Sequence, residues 1–315
     1  MILVTGATGF VGSALVRQLL ALGERVKAAS RSPAELGDAD LRWIKVDDLG
    51  PDNCWLDALD GVECVVHCAA RVHVMRDAAV DPLAAYRLAN VQGVVTLAQQ
   101  AAQAGVKRLV FLSSIKVNGE WSLPSRPFAA DDVPNPQDPY GISKWEAEQA
   151  LLTISRETGL EVVIVRPPLV YGPGVRANFQ AVMTWLRRGI PLPLGAVSHN
   201  RRSFVALDNL VSLLALCIRH PAAINQIFLV SDGEDLSTTC LLRRLGQAMD
   251  KPARLFPVPS CLLRAGTRLS GRHDLALRLL GSLQVDIRHT CDVLGWNPPV
   301  TVDEELRRTV QAFLL

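Results

Sequence analysis

Tyr140 and Lys144 stand four residues apart in the segment Pro139-Tyr140-Gly141-Ile142-Ser143-Lys144. On a helix, residues with this spacing are neighbours on one face, so the ammonium group would lie beside the phenol. A nearby positive charge favours the phenolate, whose ordinary pKa is about 10, and Asp138-Pro139 is typical of a helix start, where the helix dipole favours it further. The pair therefore indicates acid–base chemistry on a hydroxyl, although a solvated surface pair has the same spacing.

A glycine-rich segment follows the first strand-like run, Ile2–Thr5, and opens a helical pattern from about Phe10 to Leu22. Glycines in this context permit a tight turn and close approach of the backbone, and the N–H groups at the helix start favour a pyrophosphate. The pattern predicts a dinucleotide site rather than a plain turn. Its predicted members are Gly6, Thr8, Gly9, Phe10, Val11 and Gly12.

The second predicted strand ends in Ala28-Ala29-Ser30-Arg31, without the carboxylate that usually binds a ribose 2′-hydroxyl. A small Ser30 followed by Arg31 could accommodate a 2′-phosphate, which favours NADP, whereas Arg31 stacked on adenine would be compatible with NAD. Asp48, with its neighbour Leu49, is a candidate contact for the adenine, and Asp48 could equally cap its loop. The choice between NAD and NADP stays open.

Strand-like and helix-like runs alternate through the first half of the chain, which predicts βαβ units and a parallel sheet covered on both faces. We therefore expect an α/β protein with a Rossmann-type doubly wound sheet. The predicted elements after the first helix are strands at Val26–Ala29, Arg42–Val46, Cys64–Cys68, Arg108–Ser113, Glu161–Arg166 and Ile227–Val230, and helices from about Leu83 to Ala104 and from about Tyr140 to Thr158.

Proline and glycine become frequent after Arg166, which indicates a change of organisation. We expect a dinucleotide-binding domain over residues 1–172, with a return to it near 205–232. A smaller substrate-binding lobe would occupy most of residues 173–315.

Charge and cysteine content restrict the classes of partner. The net charge is +2, from 33 basic and 31 acidic residues, so the chain lacks the excess of positive charge that is typical of nucleic-acid-binding proteins. Seven cysteines without a Cys-x-x-Cys pair fit neither a disulfide framework nor a zinc site, and we expect no metal. Because Met1 leads directly into Ile2-Leu3-Val4, we expect no signal peptide and a cytoplasmic location.

The sequence contains no apolar run long enough for a membrane span. The stretch Leu262–Leu280, however, places four arginines among leucines. It is either a basic amphipathic helix that lies on a membrane or a set of helices packed on the lobe with their arginines in water. The arginines are Arg264, Arg268, Arg272 and Arg278.

Six short motifs follow one another along the chain. They are Thr5-Gly6-x-x-Gly9-x-x-Gly12, His67-Cys68-Ala69-Ala70, Asn90-x-x-Gly93, Ser113-Ser114, Tyr140-x-x-x-Lys144 and Arg166-Pro167-Pro168-x-Val170-Tyr171-Gly172-Pro173. In this order, and with several at predicted strand ends, they resemble the extended short-chain dehydrogenase/reductase family, the nucleotide-sugar epimerases and dehydratases. The resemblance covers nearly the full length.

The resemblance implies a role for each reacting residue. Tyr140 would be the acid/base, Lys144 would bind the nicotinamide ribose and lower the tyrosine pKa, and Ser114 would hydrogen-bond the reacting sugar oxygen. A tyrosinate beside a donor serine suits alcohol oxidation, because it stabilises charge that develops on that oxygen. His73 could approach the nicotinamide. Further implied cofactor contacts are Cys68, Ala69, Ala70, Asn90 and Pro167.

Departures from the family pattern limit the reaction. Ile115-Lys116 stands where dehydratases carry Asp-Glu, and because elimination of water needs an acid, we do not expect 4,6-dehydratase activity. Asn118 replaces a tyrosine and Leu169 replaces an asparagine near the substrate. Arg202 is a candidate clamp on the nucleotide diphosphate or an exposed surface residue.

Asn178 is a candidate contact to the nucleotide half of the substrate. We expect an epimerase that acts at C4 of a UDP-hexose with a retained nicotinamide. An NAD(P)H-consuming reductase of a nucleotide-linked 4-keto sugar would use the same residues, and an inactive dinucleotide-binding regulatory protein is a third alternative. A homodimer could form through helices near Leu88–Ala104 and Glu146–Arg156, unless their apolar stripes face their own sheet.

Overall fold

A computed structural model describes residues 1–32, 39–72, 81–123, 126–269 and 279–315. Within these residues, seven parallel strands form one sheet in the order β3-β2-β1-β4-β5-β6-β9. The strands are β1 Ile2–Thr5, β2 Val26–Ser30, β3 Leu41–Lys45, β4 Cys64–His67, β5 Arg108–Leu112, β6 Glu161–Arg166 and β9 Ile227–Leu229. The predicted fold class is confirmed, with strand ends that differ by about one residue from the sequence pattern.

The sheet reverses its order beside β1. The chain runs outward from β1 to β3 and then crosses to β4, which pairs with β1 from Ile2–Cys64 to Thr5–His67. In a doubly wound sheet, the crevice at the carboxyl ends of the two strands that flank this reversal is the usual ligand site. The ends of β1 and β4 therefore define where a dinucleotide would lie.

Helices cover both faces of the sheet. They are α1 Phe10–Ala21, α2 Leu56–Leu59, α3 Pro82–Arg87, α4 Gly93–Gln103, α5 Pro139–Thr158, α6 Ala177–Arg187, α7 Leu207–Arg219, α8 Thr238–Ala248, α9 Ser260–Leu269, α10 Arg288–Leu294 and α11 Val302–Leu314. Leu15 of α1 and Leu214 of α7 fill one face, and Leu97 of α4 and Leu151 of α5 fill the other. The predicted helix from Leu83 to Ala104 is interrupted by a π-helical turn, Leu88–Gln92.

A smaller sheet and its own core form the second lobe. The strands β7 Leu169–Tyr171, β8 Arg202–Ala206 and β10 Asp235–Leu236 pair in the order β10-β8-β7. The core of this lobe includes Tyr171, Met183 and Leu242. Between β8 and β10 the chain returns to the large sheet, where α7 and β9 lie. Across the described ranges, no helix has the length and apolar character needed to cross a membrane.

Glu305 of α11 is a buried carboxylate at the junction between the lobes. One oxygen lies 3.8 Å from Arg308 Nη1, and neither oxygen has a hydrogen-bond partner among the described residues. A Cβ on Gly172 would lie 2.7 Å from Glu305 Oε1, so the site leaves little room. Burial, followed by the charge of Asp208, raises the pKa of Glu305 to about 7.

This raised pKa makes folding stability pH-dependent. The protonated carboxyl is favoured in the folded chain, so its contribution is fully present below the ordinary pKa of 4.5 and is lost as the pH rises through about 7. We expect Glu305→Gln to stabilise the protein by about 3 kcal/mol near pH 8 and to have little effect near pH 4, below the ordinary pKa of the carboxyl. Thermal unfolding at both pH values tests this, with exposed Glu157→Gln as control. Equal shifts at both pH values would contradict it.

Candidate active site

The turn between β1 and α1 forms a narrow backbone cradle. Gly6 has a φ of +66°, and a Cβ there would lie 2.8 Å from Ala69 N. A Cβ on Gly12 would lie 2.2 Å from Gly6 O, so only glycine fits. Helix α1 begins after Gly9 with no side-chain cap and no acidic residue in its first turn. Its first N–H groups, on Phe10 and the residues that follow, are thus available to an anion, and the cradle fits a pyrophosphate.

The predicted adenosine contacts lie at the end of β2. Thr8 Oγ1 and Ser30 Oγ are 2.9 Å apart. Arg31 Nη1 lies 2.6 Å from Asp48 Oδ1, and both side chains are exposed. Arg31 and Asp48 are thus paired with each other. The pairing brings the Asp48 carboxylate to the end of β2, where the sequence has no acidic residue. Leu49 packs against the core cluster that includes Leu97.

The end of β4 closes the other side of the crevice. Thr5 Oγ1 lies 2.9 Å from His67 Nδ1 and accepts a hydrogen bond from Ala69 N. Burial lowers the pKa of His67 to about 3 and raises the pKa of Cys68 to about 12, so both are neutral. Cys68, Ala69 and Ala70 therefore offer an uncharged wall beside the glycine turn. His73 lies outside the described residues.

Asn90 occupies the π-helical turn and is buried. Its Nδ2 donates to Arg71 O and to Ser143 Oγ, both at 3.0 Å, and its Oδ1 accepts from Arg71 N at 2.8 Å. The amide thereby fastens the segment after β4 to α5. These three bonds are all to protein groups, and the predicted contact with the cofactor remains a prediction.

Tyr140 and Ser114 meet at the carboxyl edge of the sheet. Helix α5 starts at Pro139, and its N-cap Asp138 accepts from Gly141 N at 2.7 Å. This cap places Tyr140 in the first helical turn, where its hydroxyl hydrogen-bonds with Ser114. The two residues predicted to share the reacting oxygen are thus in contact.

In this structure the pKa of Tyr140 is not lowered, and the expectation that Lys144 lowers it stays a prediction. Burial, followed by the charge of Asp138, raises the pKa of Tyr140 above its ordinary value, and the hydrogen bond with Ser114 offsets this only in part. Tyr140 is therefore a neutral phenol here. Helical spacing places two side chains on one face, but it does not decide which way each side chain turns.

Lys144 is directed towards the end of β5. Its Nζ donates to Leu112 O at 2.8 Å and lies 4.3 Å from the centre of the Phe111 ring. The side chain is fully buried, and burial lowers the pKa of Lys144 to about 8, against the opposing charge of Glu148. An ammonium with this pKa can exchange its proton near neutral pH.

Glu148 and Arg166 form a buried ion pair that sequence reasoning missed. Arg166 Nη2 and Nε lie 2.6 and 3.0 Å from the two carboxylate oxygens. Ser113 Oγ donates a short hydrogen bond to the same carboxylate, and Arg166 Nη1 donates to Asn118 Oδ1 at 3.0 Å. The sequence spacing could have indicated that Glu148 faces the site, since it lies one helical turn beyond Lys144 on the same face.

Lys116 is paired with acidic residues at the start of α5. Its Nζ forms an ion pair with Asp138 and lies 3.5 Å from Glu120 Oε1. The residue two positions after Ser114 thus supplies a cation beside the helix cap. The expectation that the protein has no 4,6-dehydratase activity stays a prediction.

The predicted substrate contacts lie on the second lobe. Arg202, at the start of β8, donates from Nη1 to Gly281 O at 3.3 Å. Gly281 lines a cleft of about 370 Å³ with Trp121, His199 and Arg264. The structure does not describe the side chain of Asn178, near the start of α6. Pro167, after β6, accepts from Ile115 N at 2.9 Å, which ties this strand end to the Ser114 segment.

Breaking the buried ion pair should destabilise the protein strongly. Glu148→Gln leaves the Arg166 charge buried without compensation, and we expect a loss of about 3–5 kcal/mol in the free energy of unfolding. The double variant Glu148→Met with Arg166→Met should be less destabilised than the sum of its two single variants. Urea denaturation measures all of these.

The matched control is Glu146→Gln on the same helix, which removes the bidentate partner of Arg87 at an exposed site. Solvent screening should make its effect much smaller. If Glu146→Gln and Glu148→Gln lowered the free energy of unfolding by similar amounts, the buried pair would contribute no more to stability than the exposed one.

Comparison with known proteins places the chain among enzymes of one family. Residues 2–231 match the model of the NAD dependent epimerase/dehydratase family. The chain is 48% identical over 314 residues to a UDP-glucose 4-epimerase from Vibrio cholerae, with 99% of this chain and 95% of that protein covered.

Two solved structures have the same fold at somewhat lower identity. MoeE5 in complex with UDP-glucose and NAD is 26% identical, with a TM-score of 0.76 over 99% of this chain and 97% of that chain. UDP-glucose 4-epimerase from Thermotoga maritima with UDP-glucose is 25% identical, with a TM-score of 0.77 over 99% and 98%. The shared architecture extends over both lobes.

Proposed function

Because the chain belongs to the NAD dependent epimerase/dehydratase family, we propose that it interconverts UDP-glucose and its C4 epimer with a bound NAD. The 48% identity to a UDP-glucose 4-epimerase, over nearly the full length of both chains, carries this proposal. Two features of the site support the proposal. A glycine cradle lies where the strand order of the sheet reverses, and Tyr140 is hydrogen-bonded to Ser114, which follows β5.

The protein groups have separate tasks in the proposed reaction. Tyr140 first releases its own proton to solvent; as the phenolate it takes the proton of the C4 hydroxyl and later returns it, and Ser114 holds the oxygen on which charge develops. When NAD is bound, it accepts the hydride from C4 and returns it. Epimerisation then requires that the hydride return to the opposite face of the sugar and that the cofactor show no net consumption.

Tyr140 must lose its proton despite a raised pKa. Lys144 lies one helical turn away. Its ammonium can stabilise the phenolate charge of Tyr140 once the side chain turns from Leu112 O towards the nicotinamide ribose. Arg202 lies beside the cleft of the second lobe, where its guanidinium suits a diphosphate. We propose that the nucleotide sugar spans the distance between Tyr140 and Arg202.

The ion pair between Arg31 and Asp48 favours NAD over NADP. A 2′-phosphate would have to approach Arg31 against the negative charge of Asp48, which already engages the guanidinium. Ser30, which favoured NADP in the sequence, is engaged by Thr8. A reductase of a nucleotide-linked 4-keto sugar remains the alternative, because it would use the same catalytic residues.

The outer face of α5 and of the π-helical turn is a candidate dimer surface. Leu88 and Trp145 are exposed there, beside the ion pair between Arg87 and Glu146. The inward stripes of α4 and α5 pack on the sheet. We propose that any homodimer uses the outward side chains and not these stripes.

Replacement of Tyr140 tests the reaction. We expect purified protein to convert UDP-glucose to UDP-galactose without added cofactor, and Tyr140→Phe to lower the rate by about 10²–10⁴-fold because the acid/base is lost. Chromatography of the products measures this. The control is Tyr86→Phe, which changes a neighbouring ring that lies 6.1 Å from Tyr140. Turnover at the wild-type rate in Tyr140→Phe would refute the mechanism, and product that requires added NAD(P)H would indicate a reductase.

Replacement of Asp48 tests cofactor choice. We expect wild-type apoprotein to bind NAD more tightly than NADP, and Asp48→Asn to shift the ratio towards NADP by about tenfold, because Arg31 is released. Calorimetric titration with each dinucleotide measures the ratio. Asp47→Asn has the same change in charge one residue away and should leave the ratio unchanged. An unaltered ratio in Asp48→Asn would contradict the assignment.

A further inference from the structure

The outer surface of the second lobe exposes four large apolar side chains. Trp185, Ile190, Phe256 and Leu262 are 42%, 39%, 46% and 61% exposed. Single exposed apolar residues are common and require no explanation, whereas a concentration of them on one surface indicates an interaction site. We refer to these four residues and to the cations described below as the basic–apolar patch.

Backbone contacts hold the members of the patch close together. Ile190 N donates to Trp185 O at 3.1 Å, in the turn that ends α6. Beyond it, Leu192 N donates to Arg254 O and Phe256 N donates to Leu192 O, at 2.9 and 3.1 Å. The segments that carry Ile190 and Phe256 therefore lie side by side.

Helix α9 continues the same surface. It begins four residues after Phe256, at Ser260. Leu263 packs against the core of the lobe, while its neighbour Leu262 is turned outward. The helix is thus amphipathic at its start, with Leu263 on the core side and Leu262 as an exposed leucine that is close in the chain to the rest of the patch.

The charged residues among these side chains are predominantly positive. Arg188, Lys251 and Arg254 are exposed, and a Cβ on Gly189 would lie 3.7 Å from Lys251 Cε, which places Lys251 beside the end of α6. Residues 185–190 and 251–264 contain no aspartate or glutamate, and the exposed Asp250 directly precedes the second range. Since the net charge of the whole chain is only +2, this positive charge is a local feature.

We propose that the basic–apolar patch docks the protein reversibly on an anionic phospholipid surface. Exposed tryptophan, phenylalanine and leucine can enter the interfacial region of a bilayer, while lysine and arginine remain among the anionic headgroups. The combination of both features in one patch favours such a surface over an apolar protein groove, which would not require the cations.

Docking would place the cleft of the second lobe next to the bilayer. Ser260 and Arg264 of α9 line that cleft, which also reaches Gly281, the partner of Arg202. The sequence left two alternatives for the segment Leu262–Leu280, a helix on a membrane or ordinary helices packed on the lobe. The structure assigns the contact instead to a patch that includes Leu262 and residues well before it, and residues 270–278 lie outside the described part.

Vesicle binding by the full chain tests the proposal independently of any activity. Purified protein is sedimented with vesicles of phosphatidylcholine that contain about 30% phosphatidylglycerol, and with vesicles of phosphatidylcholine alone. We expect binding to the anionic vesicles only, reduced in high salt because the exposed charges are screened. Absence of binding, or equal binding to both kinds of vesicle, would overturn the proposal.

The double variant Arg254→Glu with Leu262→Ser should lower the partition coefficient by at least about tenfold, since each cation near an anionic surface contributes about fivefold. The matched control is Arg25→Glu with Leu22→Ser, which has the same change in charge and removes a leucine that is 60% exposed at the opposite end of the chain. Thermal unfolding verifies that both variants fold.

Equal losses in the two double variants would overturn the assignment to this patch. A patch that instead binds a second copy of the chain would give a smaller sedimentation coefficient in the Arg254→Glu, Leu262→Ser variant and no vesicle binding by the wild-type protein. That result would also overturn the proposal.

Discussion

The buried ion pair between Glu148 and Arg166 holds the reacting part of the molecule together. Two charges removed from water are stable only when their geometry is good and their remaining hydrogen-bonding groups are satisfied. Here the contact is bidentate, and Ser113 and Asn118 provide the additional bonds. The pair joins α5 to the ends of β5 and β6. Because Tyr140 lies two helical turns before Glu148 and Ser114 follows Ser113, the same network fixes the distance between the two reacting hydroxyls.

The start of α5 carries opposing electrostatic effects. Asp138 caps the helix through Gly141 N, yet its charge raises the pKa of Tyr140. Lys116 pairs with Asp138 and so reduces the field at the phenol. The residue that departs most clearly from the dehydratase pattern is therefore also part of the electrostatic environment of the tyrosine. Stability of the helix start and reactivity of Tyr140 are linked through one carboxylate.

Both halves of the candidate site depend on groups brought in from a distance. Asn90 ties the segment after β4 to Ser143 of α5, across 53 positions of sequence. Arg202 reaches Gly281 across 79 positions, and with it the wall of the cleft. The large sheet positions the residues at the dinucleotide end of the site. The small sheet and α9 position the residues around the cleft of the second lobe. Reactions at a sugar held between them depend on how the two lobes are joined.

The large sheet, its helices and the glycine-rich turn could be predicted from the sequence, because they follow from local properties: short apolar runs that alternate with amphipathic helical patterns, and glycines placed directly between a strand and a helix. The sequence also predicted that Tyr140 and Ser114 act together, since Ser114 follows the carboxyl end of a strand and Tyr140 begins a helix of the same sheet. The small sheet was not predicted, and two of its strands, β7 and β10, have only three and two residues. The contact of Lys144 with Leu112, the pairing of Arg31 with Asp48 and the pairing of Glu148 with Arg166 could not be predicted from the sequence. A side chain's direction and partner depend on packing between segments that are far apart in the chain.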